Sequence, residues 1–413
     1  MNDNYIKDLE KPFSPLNVVE EASRCLLCLD APCSKACPAG TAPDRFIRSV
    51  RFRNFKGAAE IIRENNALGA VCARVCPTEK YCQKACARCG IDKPIDIGRI
   101  QRYVTDFEAA CDMHILKAKK DNGHSIGIVG SGPSALQAAC SLRRMGYAVT
   151  IYEKEEEFGG TLNSIPAYRL NKKIIDTEIN RIKELGVTFK NNVTVGTDIT
   201  IADLKNKHDA ILIAVGYSYG KSLDIFKGHK NTVIAVDLLK EIKKANGKII
   251  LPDNVLIIGG GDVAMDVATS LKLLDVKHVT DVVYETLDEF KASKKELQNA
   301  RDLKVSIYDG YIPVSVEDNI VNFTHRYLKA KIAIQADLIV LAVGQYPNVD
   351  GLSLDLVRNE VNESKTYHTK DPKIFVSGDI AHSPYDKTVV GAVRTGKEVA
   401  YAIDQYIRGK KHD

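Results

Sequence analysis

The chain of 413 residues lacks an apolar run of the length that crosses a membrane. Residues 1–15 are polar and lack the apolar core of an export signal, so we expect a cytoplasmic protein. A strong charge of one sign is also absent, because Lys and Arg exceed Asp and Glu by only 58 − 53 = 5. This mild balance gives no support for a nucleic-acid partner. The length suggests two or three domains.

Cysteine, in contrast, is abundant: the chain has eleven, and eight of them lie between residues 25 and 86. Without export a disulfide framework is not expected, so this crowding indicates a metal site. The eight form two runs, Cys25-x2-Cys28-x4-Cys33-x3-Cys37-Pro38 and Cys72-x3-Cys76-Pro77-x4-Cys82-x3-Cys86. Closely spaced thiolates with a Cys-Pro step are typical of loops that hold iron–sulfur clusters. Structural zinc is the alternative, but its separated Cys-x2-Cys knuckles fit these runs poorly.

Composition divides the chain into three zones. Residues 1–122 predict an all-α iron–sulfur domain, with helices over 17–28 and 45–64 and a charged linker at 117–122. After that, strand, turn and helix alternate, and two βαβ units each predict a parallel nucleotide-binding sheet. We therefore expect an α/β protein with two Rossmann-like dinucleotide-binding domains behind the helical one. The first of these covers 123–228 and 348–413, and the second covers 229–347.

A glycine-rich turn follows the first strand of each βαβ unit. The two turns, each with the acidic residue that ends the next strand, are Gly130-x-Gly132-x-x-Ala135 with Glu153 and Gly259-x-Gly261-x-x-Ala264 with Glu285. In this pattern the first glycine permits a tight turn and the second lets the backbone approach a pyrophosphate at a helix N-terminus. The acidic residue accepts hydrogen bonds from ribose hydroxyls. One copy can arise by chance, whereas two complete copies predict two dinucleotide sites.

The two sites are expected to bind different dinucleotides. An apolar strand that begins at Ile374 ends in Gly378-Asp379, where an aspartate can hold the ribityl or phosphate part of a flavin. We therefore expect one FAD site and one nicotinamide site. The sequence favours NAD over NADP, because the Glu285 carboxylate repels a 2′-phosphate and Tyr284, not arginine, stands beside it. We interpret the nearby Lys291 as a surface residue.

Together these features resemble the glutamate synthase small-subunit family over essentially the whole chain. Besides the cysteine-rich segment and the two turns, the resemblance rests on Ile165-Pro-Ala-Tyr168-Arg169-Leu and Ser377-Gly-Asp379. Within the family, residues 22–106 are most similar to dihydropyrimidine dehydrogenases, through Arg24-Cys-Leu-Leu-Cys28, Ala31-Pro-Cys33 and the segment from Ala67 to Cys76. The length resembles that of the FAD- and iron–sulfur-containing subunits of the bacterial NAD-dependent enzymes, which lack the pyrimidine site.

The resemblance implies two [4Fe–4S] clusters and their ligands. One cluster takes three cysteines of the first run and the last of the second, and these are Cys25, Cys28, Cys33 and Cys86. The other takes three cysteines and a glutamine, and these are Cys37, Cys76, Cys82 and Gln101. Cys72 then lies outside both sets, although spacing alone would include it. From the residues alone, Gln101 is interpreted as an exposed helical residue.

The resemblance also implies the residues that bind each dinucleotide. For FAD they are Gly130, Ser131, Gly132, Pro133, Ser134, Glu153, Lys154, Gly160, Arg169, Val195, Gly378, Asp379, Thr388 and Val389. For the nicotinamide coenzyme they are Gly260, Gly261, Asp262, Val263, Tyr284, Glu285, Ala342, Val343 and Gly344. The chain departs from the family at Ser164 and Asn171, where glycine and proline are frequent, and this affects the expected shape of that loop.

The implied activity is that of an electron-input subunit. NADH gives hydride to FAD, and single electrons pass through the clusters to a partner subunit, with no side chain of this chain expected to act as an acid or base. The partner is expected to carry FMN, further clusters and the site that reversibly reduces uracil or thymine to the 5,6-dihydro form, in a heterotetramer. A glutamate synthase small subunit is the first alternative. A zinc-stabilised scaffold or nucleotide sensor is the second.

Overall fold

The computed structural model describes residues 3–361 and 367–409. The chain forms two compact units, each built from three segments and each named here after the glycine turn it contains. The Gly130 unit comprises Glu10–Leu162, Lys172–Gly216 and Pro347–Asp413. The Gly259 unit comprises Met1–Leu9, Asn163–Asn171 and Tyr217–Tyr346. The division into three domains that the sequence suggests stays a prediction.

Thirteen α-helices lie in the described residues. They are α1 Pro15–Ser23, α2 Pro32–Lys35, α3 Pro43–Arg51, α4 Phe55–Asn65, α5 Gly69–Val75, α6 Ile97–Ala110, α7 Pro133–Met145, α8 Lys172–Glu184, α9 Ile201–Lys207, α10 Ala235–Lys244, α11 Asp262–Leu273, α12 Lys294–Asp302 and α13 Val389–Gly409. In the same residues, no helix is both long enough and apolar enough to cross a membrane.

Seventeen strands lie in the same described ranges. They are β1 Ser125–Val129, β2 Ala148–Tyr152, β3 Thr188–Lys190, β4 Ala210–Ile213, β5 Tyr219–Gly220, β6 Thr232–Ile234, β7 Asn254–Ile258, β8 His278–Val283, β9 Ser306–Asp309, β10 Tyr311–Glu317, β11 Ile320–His325, β12 Lys331–Gln335, β13 Leu338–Leu341, β14 Gln345–Tyr346, β15 Leu356–Val357, β16 Glu360–Val361 and β17 Ile374–Val376.

Helices α1, α3, α4 and α6 of the Gly130 unit surround one apolar core. Phe46, Ile47 and Val50 lie on one face of α3, since residues one and three to four positions apart share a helix face, and all three are buried. Ile62 of α4 and Ile100 of α6 belong to the same core. Burial of each such side chain contributes about 1.5–3 kcal/mol. This core holds the loops that carry the cysteines.

Two helices predicted from the sequence are too long. The helix predicted over 17–28 ends at Ser23, and Leu27 adopts a φ of 55°, which an α-helix excludes. The helix predicted over 45–64 is two helices, because Arg53 has a φ of 58°. Asn54 then caps α4 by accepting a hydrogen bond from the Gly57 N–H at 2.9 Å. The sequence also predicts strands over 126–129, 148–152, 255–258 and 279–284, and these agree with β1, β2, β7 and β8 to within one residue at each end.

The Gly130 unit contains a five-stranded parallel sheet in the order β17-β4-β1-β2-β3. Strand β1 is central and pairs with both β2 and β4. The turn after β1 therefore lies at the carboxyl edge of the sheet, where ligands of such sheets bind. Helix α7 follows this turn and packs against α13, and the last strand, β17, completes the sheet beside β4.

The Gly259 unit contains a second parallel sheet, in the order β6-β13-β7-β8-β9, and an antiparallel sheet of β10, β11 and β12. Side chains of β7 alternate between two cores, as strand geometry requires. Ile257 is buried on the side of α10 and α11, and Leu256 on the side of Phe323 in β11. Two parallel sheets behind a helical segment confirm the predicted fold class.

Arg63 forms a buried ionic network inside the Gly130 unit. Its guanidinium donates to the Glu108 carboxylate of α6 at 2.8 Å and to the Glu178 carboxylate of α8 at 2.6 Å. Arg181 also lies 3.1 Å from Glu108, and Arg63 donates to the Ala67 carbonyl at 2.6 Å. Arg63 and both carboxylates are almost fully buried. The network joins the helices near the cysteines to a helix that flanks the sheet.

Candidate functional site

The first glycine turn has the geometry of a pyrophosphate cradle. Gly130 has a φ of +95°, and a Cβ there would lie 2.7 Å from the Ala214 carbonyl oxygen. A Cβ on Gly160 would lie 2.9 Å from the Gly132 Cα, whereas a Cβ on Gly132 would meet nothing within 4 Å. The backbone of Gly132 at the start of α7 therefore faces open space. The N-terminus of a helix at such a place favours an anion.

Glu153 is held against this turn by the protein itself. Its carboxylate accepts hydrogen bonds from the Ser131 N–H at 2.9 Å, the Ser131 hydroxyl at 2.5 Å and the Glu155 N–H at 3.0 Å. The residue is only 6% exposed. A carboxylate has about four acceptor sites, so one more donor, such as a ribose hydroxyl, fits this arrangement.

Gly378 and Asp379 lie at the end of β17, beside the first turn. The Ser134 hydroxyl donates to the Ser377 hydroxyl at 2.8 Å, and the Gly378 N–H donates to the Thr395 hydroxyl at 3.1 Å. Burial raises the pKa of Asp379, and the Lys387 charge opposes that effect. These bonds bring the C-terminal segment to the same edge of the sheet as α7.

The remaining residues predicted for FAD lie in several places. Thr388 accepts the Gly391 N–H at 3.1 Å at the start of α13, where Val389 is the first helical residue. Val195 is buried and forms an isolated bridge with Ile199. The Lys154 ammonium is 3.9 Å from Glu155.

Arg169 belongs to the Gly259 unit rather than to the unit of the first turn. There its guanidinium lies 2.7 Å from Asp266 and 3.1 Å from Glu296. Burial raises the pKa of Asp266 to about 7, and Arg169 opposes this rise. Tyr168 donates to the same aspartate at 3.3 Å. The cation is thus held by two carboxylates of its own unit.

The second glycine turn repeats the geometry of the first. A Cβ on Gly259, whose φ is +153°, would lie 2.4 Å from the Ala342 carbonyl oxygen. A Cβ on Gly260 would lie 2.8 Å from the Glu285 carboxylate, and one on Gly261 would meet nothing within 4 Å. Helix α11 begins directly after it, at Asp262 and Val263. This turn too offers an open helix N-terminus with an acidic residue beside it.

The segment after β13 runs along the same edge of the sheet. The Ala342 N–H donates to the Ile258 carbonyl at 2.8 Å, so Ala342 lies against the end of β7. Val343 packs against the core on the hairpin side, and Gly344 has a φ of +105°. The residues predicted for the nicotinamide coenzyme after β8 and after β13 therefore meet the second turn.

Two cations flank Glu285, and the sequence indicated only one of them. The Lys291 ammonium lies 2.6 Å from the Glu285 carboxylate. Arg326, in the turn after β11, stacks its guanidinium 4.0 Å from the centre of the Tyr284 ring. It also lies 2.9 Å from the Glu289 carboxylate. Arg326 is about forty positions further along the chain, and only the fold of the hairpin shows where it lies.

Four cysteines line one cavity in the helical part of the chain. They come from both runs and are Cys25, Cys28, Cys33 and Cys86. The cavity measures about 380 Å³, including the solvent at its mouth. Burial raises the pKa of Cys25, and that of Cys33 to about 11. The structure therefore brings together the four residues that the resemblance implies for one cluster.

The second set of thiols is more deeply enclosed. Burial raises the pKa of Cys72 to about 12 and raises the pKa of Cys76 and Cys82, and repulsion from the Cys37 thiol adds to all three. Gln101 is buried rather than exposed, and its amide donates to the Gly69 carbonyl at 2.7 Å. The reading of Gln101 as an exposed residue is thus wrong. Cys72 and Gln101 lie on α5 and α6, which pack together.

The donor set fits iron–sulfur chemistry. All eleven cysteines are free thiols. In the described residues, no three His, Cys, Asp or Glu side chains are placed to hold a single metal ion. A four-iron cluster spreads its thiolates over several irons, whereas zinc draws four ligands to within about 2.3 Å of one ion.

Solved structures share the fold of the two sheets. The chain matches thioredoxin reductase from T. acidophilum with a TM-score of 0.55 at 19% identity, over 70% of this chain and 99% of that one. It matches a 2-naphthoyl-CoA reductase with a TM-score of 0.57 at 19% identity, over 96% of this chain and 57% of that one. At these identities the likeness shows the fold alone.

Sequence comparisons reach further. Residues 2–114 match the family model described as dihydropyrimidine dehydrogenase domain II, 4Fe-4S cluster, and residues 124–404 match that of pyridine nucleotide-disulphide oxidoreductases. The NAD-dependent dihydropyrimidine dehydrogenase subunit PreT of Escherichia coli K12 is 53% identical over 98% of both chains. The glutamate synthase [NADPH] small chain of the same organism is 26% identical over 97% of this chain and 93% of its own length. The chain therefore belongs to the family of NAD-dependent dihydropyrimidine dehydrogenase subunits, within the pyridine nucleotide-disulphide oxidoreductases.

Proposed function

We propose that this chain is the NADH-oxidising, electron-input subunit of a dihydropyrimidine dehydrogenase. The observation that carries the proposal is one chain with two complete dinucleotide turns and a cavity lined by four cysteines. This combination suits a protein that accepts electrons in pairs and releases them singly. The reaction and the substrate class rest on the similarity to the Escherichia coli subunit over 98% of the chain.

The two turns divide the binding work. The first turn, Glu153 and Asp379 would hold FAD, and the second turn, Glu285 and the residues after β13 would hold NADH. When bound, the flavin takes hydride from NADH and the clusters carry single electrons. This chain's own residues supply helix N-termini for the two pyrophosphates and carboxylates for the riboses.

We assign two [4Fe–4S] clusters to the helical part. Cys25, Cys28, Cys33 and Cys86 would hold one, and Cys37, Cys76, Cys82 and Gln101 the other. The convergence of the first four in one cavity supports the first assignment. For the second, the buried position of Gln101 beside the α5 helix supports it.

The relatives are described as subunits, so a partner completes the enzyme. We propose that the partner carries FMN, two further clusters and the pyrimidine site, where uracil or thymine is reduced reversibly to the 5,6-dihydro form. The expected assembly is a heterotetramer. We expect this assembly in the cytoplasm.

The deciding experiment is co-expression with the candidate partner, followed by NADH-dependent reduction of uracil with each subunit alone and with both. Reduction that needs both subunits supports the proposal. A chain that copurifies instead with a glutaminase-bearing subunit and forms glutamate contradicts it and favours the first alternative. NADPH used better than NADH contradicts the NAD assignment.

The clusters have a test of their own. Iron content and the visible spectrum of the purified chain are expected to show about eight irons and one flavin per chain, with four irons per cluster. Gln101→Ala should lower the iron content, and the matched variant Cys72→Ser should keep it. The reverse result would exchange these two residues in the ligand set. One or two zinc ions without flavin would refute electron transfer altogether.

A further inference from the structure

The loop after β8 folds back onto the second glycine turn. The Ala292 N–H donates to the Gly260 carbonyl at 3.1 Å, and the Ser293 N–H donates to the Asp262 carboxylate at 2.6 Å. These two bonds fix the end of the loop at the start of α11. The loop carries Glu289 and Lys291, so both charges are close to Glu285, which lies two residues after β8.

The β-hairpin sheet adds a second cation to the same place. The Gly310 N–H donates to the Glu285 carbonyl at 3.0 Å, and the Arg326 N–H donates to the Gly310 carbonyl at 2.7 Å. The Arg326 guanidinium then donates to the Tyr284 carbonyl at 3.0 Å. It is stacked between two rings, 4.0 Å from the centre of Tyr284 and 4.8 Å from that of Tyr327. Its position is therefore fixed by backbone and ring contacts together.

Each of these two cations is bound to a carboxylate. Lys291 lies 2.6 Å from Glu285, and Arg326 lies 2.9 Å from Glu289. The hydrogen bond from Arg326 lowers the pKa of Glu289, and the one to Glu285 raises the pKa of Lys291. Glu289 is therefore held as a carboxylate and Lys291 as a cation at neutral pH. The Arg326 side chain is 16% exposed and that of Glu289 is 49% exposed, so the carboxylate can be reached from solvent.

Coenzymes with and without a 2′-phosphate differ by about two negative charges next to the ribose. Arginine and lysine are the residues that bind such a phosphate, and this site holds one of each. We infer that Glu289 is a specificity-determining residue, which together with Glu285 neutralises Arg326 and Lys291 and so excludes a coenzyme that carries a 2′-phosphate. The inference rests on the proposed binding of NAD at the second turn.

Glu285 alone does not account for the arrangement. It repels a phosphate and neutralises Lys291. Arg326, however, is paired with Glu289, and this ion pair does not depend on the residue at position 285. A single substitution of Glu285 therefore leaves the arginine neutralised. Substitution of Glu289 frees the guanidinium, which the two tyrosine rings and the Tyr284 carbonyl already hold in place.

The test measures binding of ADP-ribose and 2′-phospho-ADP-ribose to the full chain by calorimetry. Neither probe has a nicotinamide, so neither can exchange hydride with the flavin. The chain is saturated with FAD beforehand, so that the probes bind at the second turn and not at an empty first turn. Since exposed ion pairs are weak, we expect Glu289→Gln to improve the affinity for the phosphorylated probe about three- to fivefold. Glu285→Gln should improve it about tenfold, because a like charge is removed from the ribose site. The double variant with Glu285→Gln and Glu289→Gln should bind 2′-phospho-ADP-ribose at least as tightly as it binds ADP-ribose.

Three controls make the outcome decisive. Arg326→Met keeps much of the ring packing and should cancel the gain from Glu289→Gln, and Arg326→Gln serves if the first variant unfolds. Asp253→Asn removes a carboxylate from an exposed ion pair with Lys277, in which the charged groups lie 2.6 Å apart. This pair lies at the opposite end of the strands, so the variant should leave the ratio of the two probe affinities unchanged. A ratio that Glu289→Gln shifts less than twofold, or a gain that persists without Arg326, overturns the inference. Failure of the wild-type chain to bind ADP-ribose overturns the proposed function instead.

Discussion

The Gly130 and Gly259 units use acidic residues in opposite ways. Glu153 is 6% exposed and accepts three hydrogen bonds from its own turn, whereas Glu285 pairs with Lys291, which is 75% exposed. Deeper in the two units the contrast recurs. Glu108 and Glu178 are buried and paired with Arg63, but the buried Asp281 carboxylate in β8 has no hydrogen-bond partner among the residues that the structure describes.

The difference between Glu153 and Glu285 shows that the same glycine-turn motif does not determine how its acidic residue is held. A carboxylate that the protein itself orients suits a cofactor that stays bound, because the site is ordered before the ligand arrives. Glu285, whose side chain is 14% exposed but pairs with an exposed cation, suits a coenzyme that binds and leaves at every turnover. Four experiments test this contrast.

Arg63→Met should have the largest effect. It leaves Glu178 buried without a cation and Glu108 with Arg181 alone, so we expect a loss of about 3–5 kcal/mol in the free energy of unfolding. Urea titration monitored by circular dichroism measures this. Arg45→Met is the matched control, since Arg45 and Glu64 form an exposed pair at 4.0 Å. Equal losses of stability in the two variants would show that the buried Arg63 network stabilises the fold no more than an exposed ion pair does.

The glycine turns should separate the two cofactors. Gly130→Ala and Gly259→Ala place a Cβ at 2.7 and 2.4 Å from a carbonyl oxygen, and each should cost about 1–3 kcal/mol of strain. Gly130→Ala is expected to lose flavin absorbance. Gly259→Ala should keep the flavin and lose NADH binding. Gly409→Ala, where a Cβ meets open space, is the control. Loss of flavin from both variants would contradict the division of work between the turns.

Asp281→Val should stabilise the chain, and more at high pH than at low. Burial raises the pKa of Asp281 well above its ordinary value, so the folded protein keeps a proton that the unfolded chain releases above about pH 4. Stability is therefore lost as the pH rises from that point toward the folded pKa. Valine removes this loss and should gain about 1–3 kcal/mol at pH 7.5. Melting temperatures from pH 5 to 8 measure the gain, and one that does not grow with pH would contradict the assignment.

Glu285→Gln should change stability least. The side chain contacts an exposed lysine, so we expect a change within about 0.5 kcal/mol together with weaker NADH binding. Glu153→Gln is the matched variant and should cost about 1–3 kcal/mol, since a buried set of donors loses its ionised acceptor. Thermal melts of both variants, read beside fluorescence titration with NADH, check the contrast. If Glu285→Gln destabilises as strongly, the second carboxylate is structural as well.

The parts that follow from local sequence could be predicted. The strand before each turn is a short apolar run that ends at a glycine, and its predicted limits agree with the structure to within one residue. The two glycine turns also indicate that the chain has two parallel sheets. Helix ends were harder, because Arg53 adopts a left-handed conformation that no propensity of arginine foretells.

Residues that meet through tertiary structure could not be found in this way. Arg326 reaches the ribose site because an antiparallel hairpin returns the chain there, and no local motif marks it. Gln101 has a polar side chain of the kind usually found at the surface, and only the packing of α6 on α5 buries it. The family resemblance indicated Gln101, but nothing in the sequence indicated Arg326 or its pairing with Glu289.

The segmented course of the chain also bears on its synthesis. The parallel sheet of the Gly259 unit is complete once residue 346 has been made. The sheet of the Gly130 unit still lacks β17, and α7 lacks its neighbour α13. During translation, which adds about 5–20 residues per second, the Gly259 unit can thus mature first, while the Gly130 unit waits for the last part of the chain. A chain truncated after residue 350 and released from the ribosome would therefore resist protease in the Gly259 unit only.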